Sequence, residues 1–111
     1  MSQFIKHLPY GEAVALVGQV DYLPGQVVSK TLVQNPAVGV TLFAIPGGEG
    51  ISTHKSPGDA MVQILQGKAK ITIDDKVHEL DAGQCIVMPA GHPHALYAIS
   101  SFKMLLTVIF Q

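Results

Sequence analysis

Histidine and hydroxyl side chains that could bind a ligand or a metal lie in two short stretches of this chain. The first stretch, residues 50–60, carries His54 and Ser56, and the second, residues 83–94, carries His92 and His94. Imidazole titrates near neutral pH and is a common ligand of transition metals. Side chains two positions apart on a strand share a face, so each stretch can present a pair of groups to one site. The residue types indicate proton transfer, ligand binding or metal binding.

The elements around these residues are predicted to be short antiparallel strands. Pro, Gly, Asn and Asp clusters recur about every 8 to 12 residues, as in all-β domains. The intervening runs are rich in Val, Ile, Thr and Phe, and they span residues 27–33, 38–45, 60–65, 68–73, 76–80, 85–88, 95–99 and 102–110. A weak helical pattern near residues 11–20 is interrupted by Gly18 and β-branched residues. An all-β sandwich or barrel is therefore expected.

Glycine and proline spacing makes the two stretches resemble the two motif halves of the cupin superfamily. The first half ends at Gly67, and the second contains Gly83, Pro89 and Gly91 ahead of His94. The resemblance extends over about residues 20–110. It implies a small single-domain cupin, a jelly-roll antiparallel β-barrel over residues 21–111, with residues 1–20 as an N-terminal arm or extra strand.

The same resemblance implies an incomplete set of metal ligands. The superfamily uses two His and a Glu from the first half and one His from the second. His54 matches the first His and His94 the last, whereas Ser56 and Ala60 stand in place of the second His and the Glu. Asp59, the nearest carboxylate, is one residue out of phase and is expected to point away from the barrel interior.

Three arrangements of metal remain open. His92 could supply a third ligand beside His54 and His94, because the proline after it favours an extended backbone. His54 and His94 could instead hold an ion with water or an added ligand, or no metal is bound. A divalent transition metal (Zn, Ni, Fe, Mn or Cu) is weighed evenly against none. A metal-dependent oxygenase or isomerase would use the triad of His54, His92 and His94.

A small-molecule site without metal is the preferred hypothesis. His54, Ser56 and His94 would contact a small polar or anionic ligand, and apolar walls would come from Val62, Ile64 and Met88. No catalytic residue is assigned. A non-catalytic dimeric scaffold is the remaining alternative.

Composition bears on partners and compartment. The strands at 38–45 and 104–110 are apolar on both faces, which predicts that a second subunit covers the barrel and forms a homodimer. All seven basic residues are Lys and the net charge is −1, which argues against nucleic-acid binding. The absence of a long apolar run argues against a membrane partner. A single cysteine, Cys85, favours the cytoplasm, and its apolar neighbours predict that it is buried.

Overall fold

The computed structural model describes residues 3–111, which form nine antiparallel strands and one short 3-10 turn at Leu16–Gly18. The strands are β1 (Val28–Gln34), β2 (Val38–Ile45), β3 (Gly50–His54), β4 (Asp59–Gln66), β5 (Lys68–Ile73), β6 (Lys76–Asp81), β7 (Cys85–Met88), β8 (His94–Ala98) and β9 (Phe102–Ile109). The predicted all-β jelly-roll class is confirmed. Within residues 3–111, no helix has the length and hydropathy needed to cross a membrane.

The strands form two sheets. The five-stranded sheet has the order β1-β2-β9-β4-β7, and the four-stranded sheet has the order β3-β8-β5-β6. Strand β9 is the centre of the larger sheet, where it pairs with both β2 and β4. His54 therefore lies on β3, an edge strand of the smaller sheet, and His94 lies on the neighbouring strand β8.

The main core lies between the two sheets and follows the period of two expected for strands. In β4, Ala60, Val62 and Ile64 are at most 2% exposed, whereas Gln63 is exposed on the outer face. Phe102 and Met104 of β9 are fully buried in the same core. The inward direction of Val62 and Ile64 and the outward direction of Gln63 agree with the alternation predicted from the sequence.

A second apolar cluster lies on the outer face of the five-stranded sheet and is covered by the chain itself. We call residues 3–27 the N-terminal segment. Its Leu8, Leu16 and Val20 pack against Leu42 of β2 and Leu105 of β9. The doubly apolar strands predicted a second subunit at this position, but the N-terminal segment covers much of that surface.

Lys103 anchors the N-terminal segment to β9. It points outward from the sheet, yet it is only 8% exposed, because the segment lies over it. Its Nζ donates a hydrogen bond of 2.7 Å to the carbonyl oxygen of Val17. The same ammonium lies 5.0 Å from the centre of the Tyr22 ring, within the range of cation–π attraction.

Cys85 is exposed, in contrast to the burial predicted from its apolar neighbours. Strand β7 alternates so that Met88 faces the core and Val87 faces outward, and Cys85 shares the face of Val87. The thiol therefore lies on the outside of the barrel and does not reach its interior.

Candidate ligand-binding site

A bulge in β3 aims His54 at the barrel interior. Ile51 pairs with Leu96 of β8, and His54 pairs with His94, so three steps on β3 oppose two on β8. In a regular strand, residues three apart point to opposite faces. The register shift between Ile51 and His54 brings both side chains to the same face.

The two imidazoles meet through their Nε2 atoms, which are 3.1 Å apart. The Nδ1 of His54 is 2.8 Å from the carbonyl oxygen of Ser52. The Nδ1 of His94 is 3.2 Å from the carbonyl oxygen of His92. A carbonyl can only accept, so each Nδ1 carries a proton and each neutral ring leaves a lone pair on Nε2. Two lone pairs facing each other require a proton, a hydrogen-bond donor or a metal ion between or beside them.

His94 favours its neutral form. Burial lowers the pKa of its imidazole below the ordinary value, and the neighbouring His54 lowers it further. The hydrogen bond to the carbonyl of His92 opposes both effects by favouring the protonated ring. His94 is 3% exposed, whereas His54 is exposed. The pair therefore has a buried member that resists protonation and an outer member in contact with water.

The lowered pKa of His94 predicts that stability falls in acid. The unfolded chain binds this proton more readily than the folded chain, so the stabilising contribution is full above the unfolded pKa of about 6.5. It is lost as the pH falls through the lower pKa of the folded protein. Urea unfolding at pH values on both sides of this range should show a shallower pH dependence for His94→Gln than for the unmodified protein. His78→Gln, in β6, is the control, and equal slopes in all three proteins would contradict the prediction.

Three hydrogen bonds hold the loop at residues 89–93, which leads into His94. The Asp59 carboxylate accepts a hydrogen bond of 2.8 Å from the Ala90 amide. The carbonyl of Ser56 accepts one of 2.9 Å from the amide of Gly91. Asp74, in a left-handed conformation with φ of 54°, donates its amide to the carbonyl of Pro93 at 2.8 Å. The out-of-phase Asp59 thus positions the loop and does not enter the cavity.

The side chain of His92 contacts Asp74 and is not part of the imidazole pair. Its Nδ1 is 3.0 Å from a carboxylate oxygen of Asp74, and both side chains are about half exposed. His92 does not line the cavity, so the structure does not bring together the triad of His54, His92 and His94. Within residues 3–111, no three His, Cys, Asp or Glu side chains are grouped to hold an ion. His92 does not join the proposed triad because its ring hydrogen-bonds to the Asp74 carboxylate outside the cavity.

A cavity of about 660 Å³ opens beside the histidine pair. Its buried apolar lining consists of Ala60, Met88, Leu96 and Met104, each no more than 4% exposed. The remaining lining residues are Val27, Phe43, Ile51, His54, Lys55, Ser56, Pro57, His94, Leu106, Val108 and Phe110. This volume is within the usual range for small-molecule sites.

The cavity contains four of the six side chains proposed from the sequence. His54, Ser56, Met88 and His94 line it. Val62 and Ile64 face the same interior but belong to the packed core further along β4, where they are 0% and 2% exposed. The sequence reasoning missed most of the apolar walls. The even-numbered residues of β9 share the inner face, but this signal was hidden because the strand is apolar on both faces.

The pair provides two well-oriented nitrogen ligands for a transition metal but no third protein ligand. Two nitrogens bound to one ion at about 2.0–2.1 Å are roughly 2.8–3.4 Å apart, and the observed separation of 3.1 Å falls in that range. Hydrogen bonding from each Nδ1 to a carbonyl is also how metal-bound histidines are commonly oriented. His54 and His94 therefore fit a two-ligand corner.

The architecture is a single jelly-roll barrel with an interior cavity that two histidines help to line. A family profile described as the cupin domain matches residues 41–110, and the chain belongs to that family. The matched region corresponds to strands β2 through β9, which include every strand that lines the cavity. The predicted superfamily is therefore confirmed.

Solved structures extend the likeness to nearly the whole chain. A conserved protein of unknown function from Streptococcus pyogenes is 44% identical, with a TM-score of 0.96, over 99% of this chain and 96% of that one. A cupin superfamily protein from Desulfitobacterium hafniense is 33% identical, with a TM-score of 0.92, over 96% and 98%. A cupin 2 conserved barrel domain protein from Leptotrichia buccalis is 38% identical, with a TM-score of 0.80, over 84% and 45%. Among curated proteins, no match was found.

Proposed function

We propose that this protein is a small-molecule-binding cupin that holds its ligand inside the barrel, with His54 and His94 as the polar contacts. The observation that carries the proposal is the cavity of about 660 Å³, which is lined mostly by apolar side chains together with the imidazole pair. Such a combination of apolar walls and few convergent polar groups is typical of ligand sites. Ser56 adds a hydroxyl group, which accepts a hydrogen bond of 3.2 Å from the Gly58 amide.

Thermal shift with a neutral aromatic probe, methyl naphthoate, tests the proposal. A ligand at 100 times its dissociation constant adds about 2.7 kcal/mol to the free energy of unfolding, which for a domain of this size is a rise in Tm of roughly 10–20 °C. Ala60→Leu places extra atoms in the cavity and should abolish the shift. Ala95→Leu, on the outer face of β8, is the matched control and should keep it. No shift with any apolar probe would overturn the proposal.

A two-histidine metal site is the second candidate, and it is favoured by the 3.1 Å separation of the Nε2 atoms and by the orientation of both rings. Nickel, copper and zinc are the divalent ions that imidazoles bind most strongly. Equilibrium dialysis with zinc alone should show about one equivalent bound, which His54→Gln would remove and His78→Gln would not. Binding that is unchanged in His54→Gln would refute this site.

Self-association is the second part of the proposal. On the outer face of the five-stranded sheet, beyond the N-terminal segment, Thr107 pairs with Met61, and Met61 pairs with Val87. Val87 is 54% exposed and Ile109 is 49% exposed, so an apolar patch remains for a second copy. Sedimentation equilibrium at micromolar concentration should show a dimer that Val87→Lys converts to a monomer. A monomeric unmodified protein would refute this part.

A further inference from the structure

The ionisable groups of the cavity are all bases. Lys55, His54 and His94 line it, and no Asp or Glu is among its lining residues in the described part of the chain. A cationic ligand would therefore meet only groups that repel it or that compete with it for protons. An acidic ligand meets three groups that can accept its proton or neutralise its charge.

The buried walls of the cavity around the histidines are apolar. Ala60, Met88 and Met104 are at most 2% exposed and present carbon and sulfur atoms to the space. A hydroxyl or charged group placed against them would lose its water without gaining a partner. The part of the ligand that packs against these walls is therefore an aromatic ring or a hydrocarbon chain.

The histidine pair determines what the other end of the ligand must supply. Both Nδ1 protons are used by the carbonyls of Ser52 and His92, so the neutral pair presents two Nε2 lone pairs 3.1 Å apart and no donor. An ester or ether has only acceptors to offer, and its oxygen would be a third lone pair at this point. A ligand with an acidic O–H supplies the missing proton.

We infer that the ligand is an apolar weak organic acid, either a monocarboxylic acid or a phenol, whose body packs against the buried apolar walls and whose O–H meets His54 and His94. The inference rests on the proposed binding function and specifies its ligand class. The O–H either donates to Nε2 or passes its proton there, so that the O–H bond breaks, an N–H bond forms and the electron pair stays on oxygen. In both descriptions the complex holds one proton more than the neutral pair; a phenol brings this proton, whereas a carboxylate, which is ionised in neutral solution, takes it up from the solvent on binding. The resulting contact is a charge-assisted hydrogen bond.

Calorimetric titration with naphthoic acid and its methyl ester tests the ligand class in the unmodified protein. The two probes share the same ring system, and they differ in that the acid has an ionisable carboxyl group whereas the ester cannot hold or release a proton. A hydrogen bond involving a charged group corresponds to roughly ten- to hundred-fold in affinity, so the acid should bind at least about ten-fold more tightly. His54→Gln, at an exposed position, should reduce this preference to less than about three-fold. His78→Gln, on a strand that does not line the cavity, should retain it.

The outcomes separate the two proposals. Equal binding of acid and ester would overturn the acid inference while leaving the proposed binding function intact. Binding of neither probe would overturn both. Acid binding that requires added zinc and disappears with EDTA would assign the contact to a metal ion and also overturn the inference. A preference for the acid that is insensitive to EDTA and is lost in His54→Gln would support it.

Discussion

Replacement of Gly67 by Ala should lower the free energy of unfolding by about 3 kcal/mol or more. Gly67 joins β4 to β5 with φ of 82°, a conformation that L-residues with a side chain adopt at a cost. A Cβ atom at this position would overlap the carbonyl oxygen of Ser101 and lie 2.8 Å from the Cα of Phe102. Both contacts are with backbone, so relief requires movement of the chain that enters β9.

Gly83→Ala is the matched control. Gly83 has a similar φ of 91°, but among the described residues nothing lies within 4 Å of the position of its Cβ. The free energy of unfolding of Gly83→Ala should fall only by the cost of backbone strain, about 1–2 kcal/mol. Urea unfolding followed by circular dichroism measures both variants. Equal losses would show that the close approach to Ser101 does not contribute at Gly67.

Lys103→Met should lower the free energy of unfolding by about 2 kcal/mol, because a hydrogen bond from a charged donor is lost and the carbonyl of Val17 is left without it. Methionine keeps a flexible apolar side chain of similar length, so packing beneath the N-terminal segment is largely preserved. The ammonium's attraction to the Tyr22 ring is lost as well. Limited proteolysis should then cut the N-terminal segment well before the barrel.

Lys70→Met is the control that distinguishes loss of the Lys103–Val17 hydrogen bond from the general effect of replacing a lysine by methionine. Lys70 also has its ammonium over an aromatic ring, 5.5 Å from the centre of Tyr97, but it is exposed. Its replacement should change stability by no more than about 0.5 kcal/mol. Equal free energies of unfolding for Lys103→Met and Lys70→Met would contradict the prediction. They would mean that the desolvation cost of burying the Lys103 ammonium cancels the stabilisation from its hydrogen bond to Val17.

Much of the fold could be predicted from local sequence patterns. The bounds of β2, β5 and β7 coincide with the predicted runs at 38–45, 68–73 and 85–88. Turn residues and β-branched runs act over a few neighbours, so they are readable without knowledge of the tertiary structure. Strand β3 was not among the predicted runs, because Gly50, Ser52 and Thr53 give it little apolar character.

The arrangement of the site was less accessible, because it depends on contacts between distant parts of the chain. The structure places His54 and His94, both proposed from the sequence, at one cavity, but the bulge that aligns them is not visible in the spacing. The side chain of His92 is fixed by Asp74, 18 positions earlier in the chain. The N-terminal segment covers the outer face of β2 and β9. The apolar character of these strands predicts that they are covered, but not whether the same chain or a second subunit covers them.

The central position of β9 constrains the order in which the chain can fold during synthesis. The larger sheet cannot form before residues 102–109 exist, since β2 and β4 pair with β9 and not with each other. Lys103 is also the residue that fixes Val17, 86 positions earlier. Until β9 emerges, the earlier strands and the N-terminal segment lack their main partner, and their apolar faces are open to other proteins. Because its strand pairs are non-local, the barrel is expected to fold slowly. The incomplete chain is also expected to need protection from aggregation during synthesis.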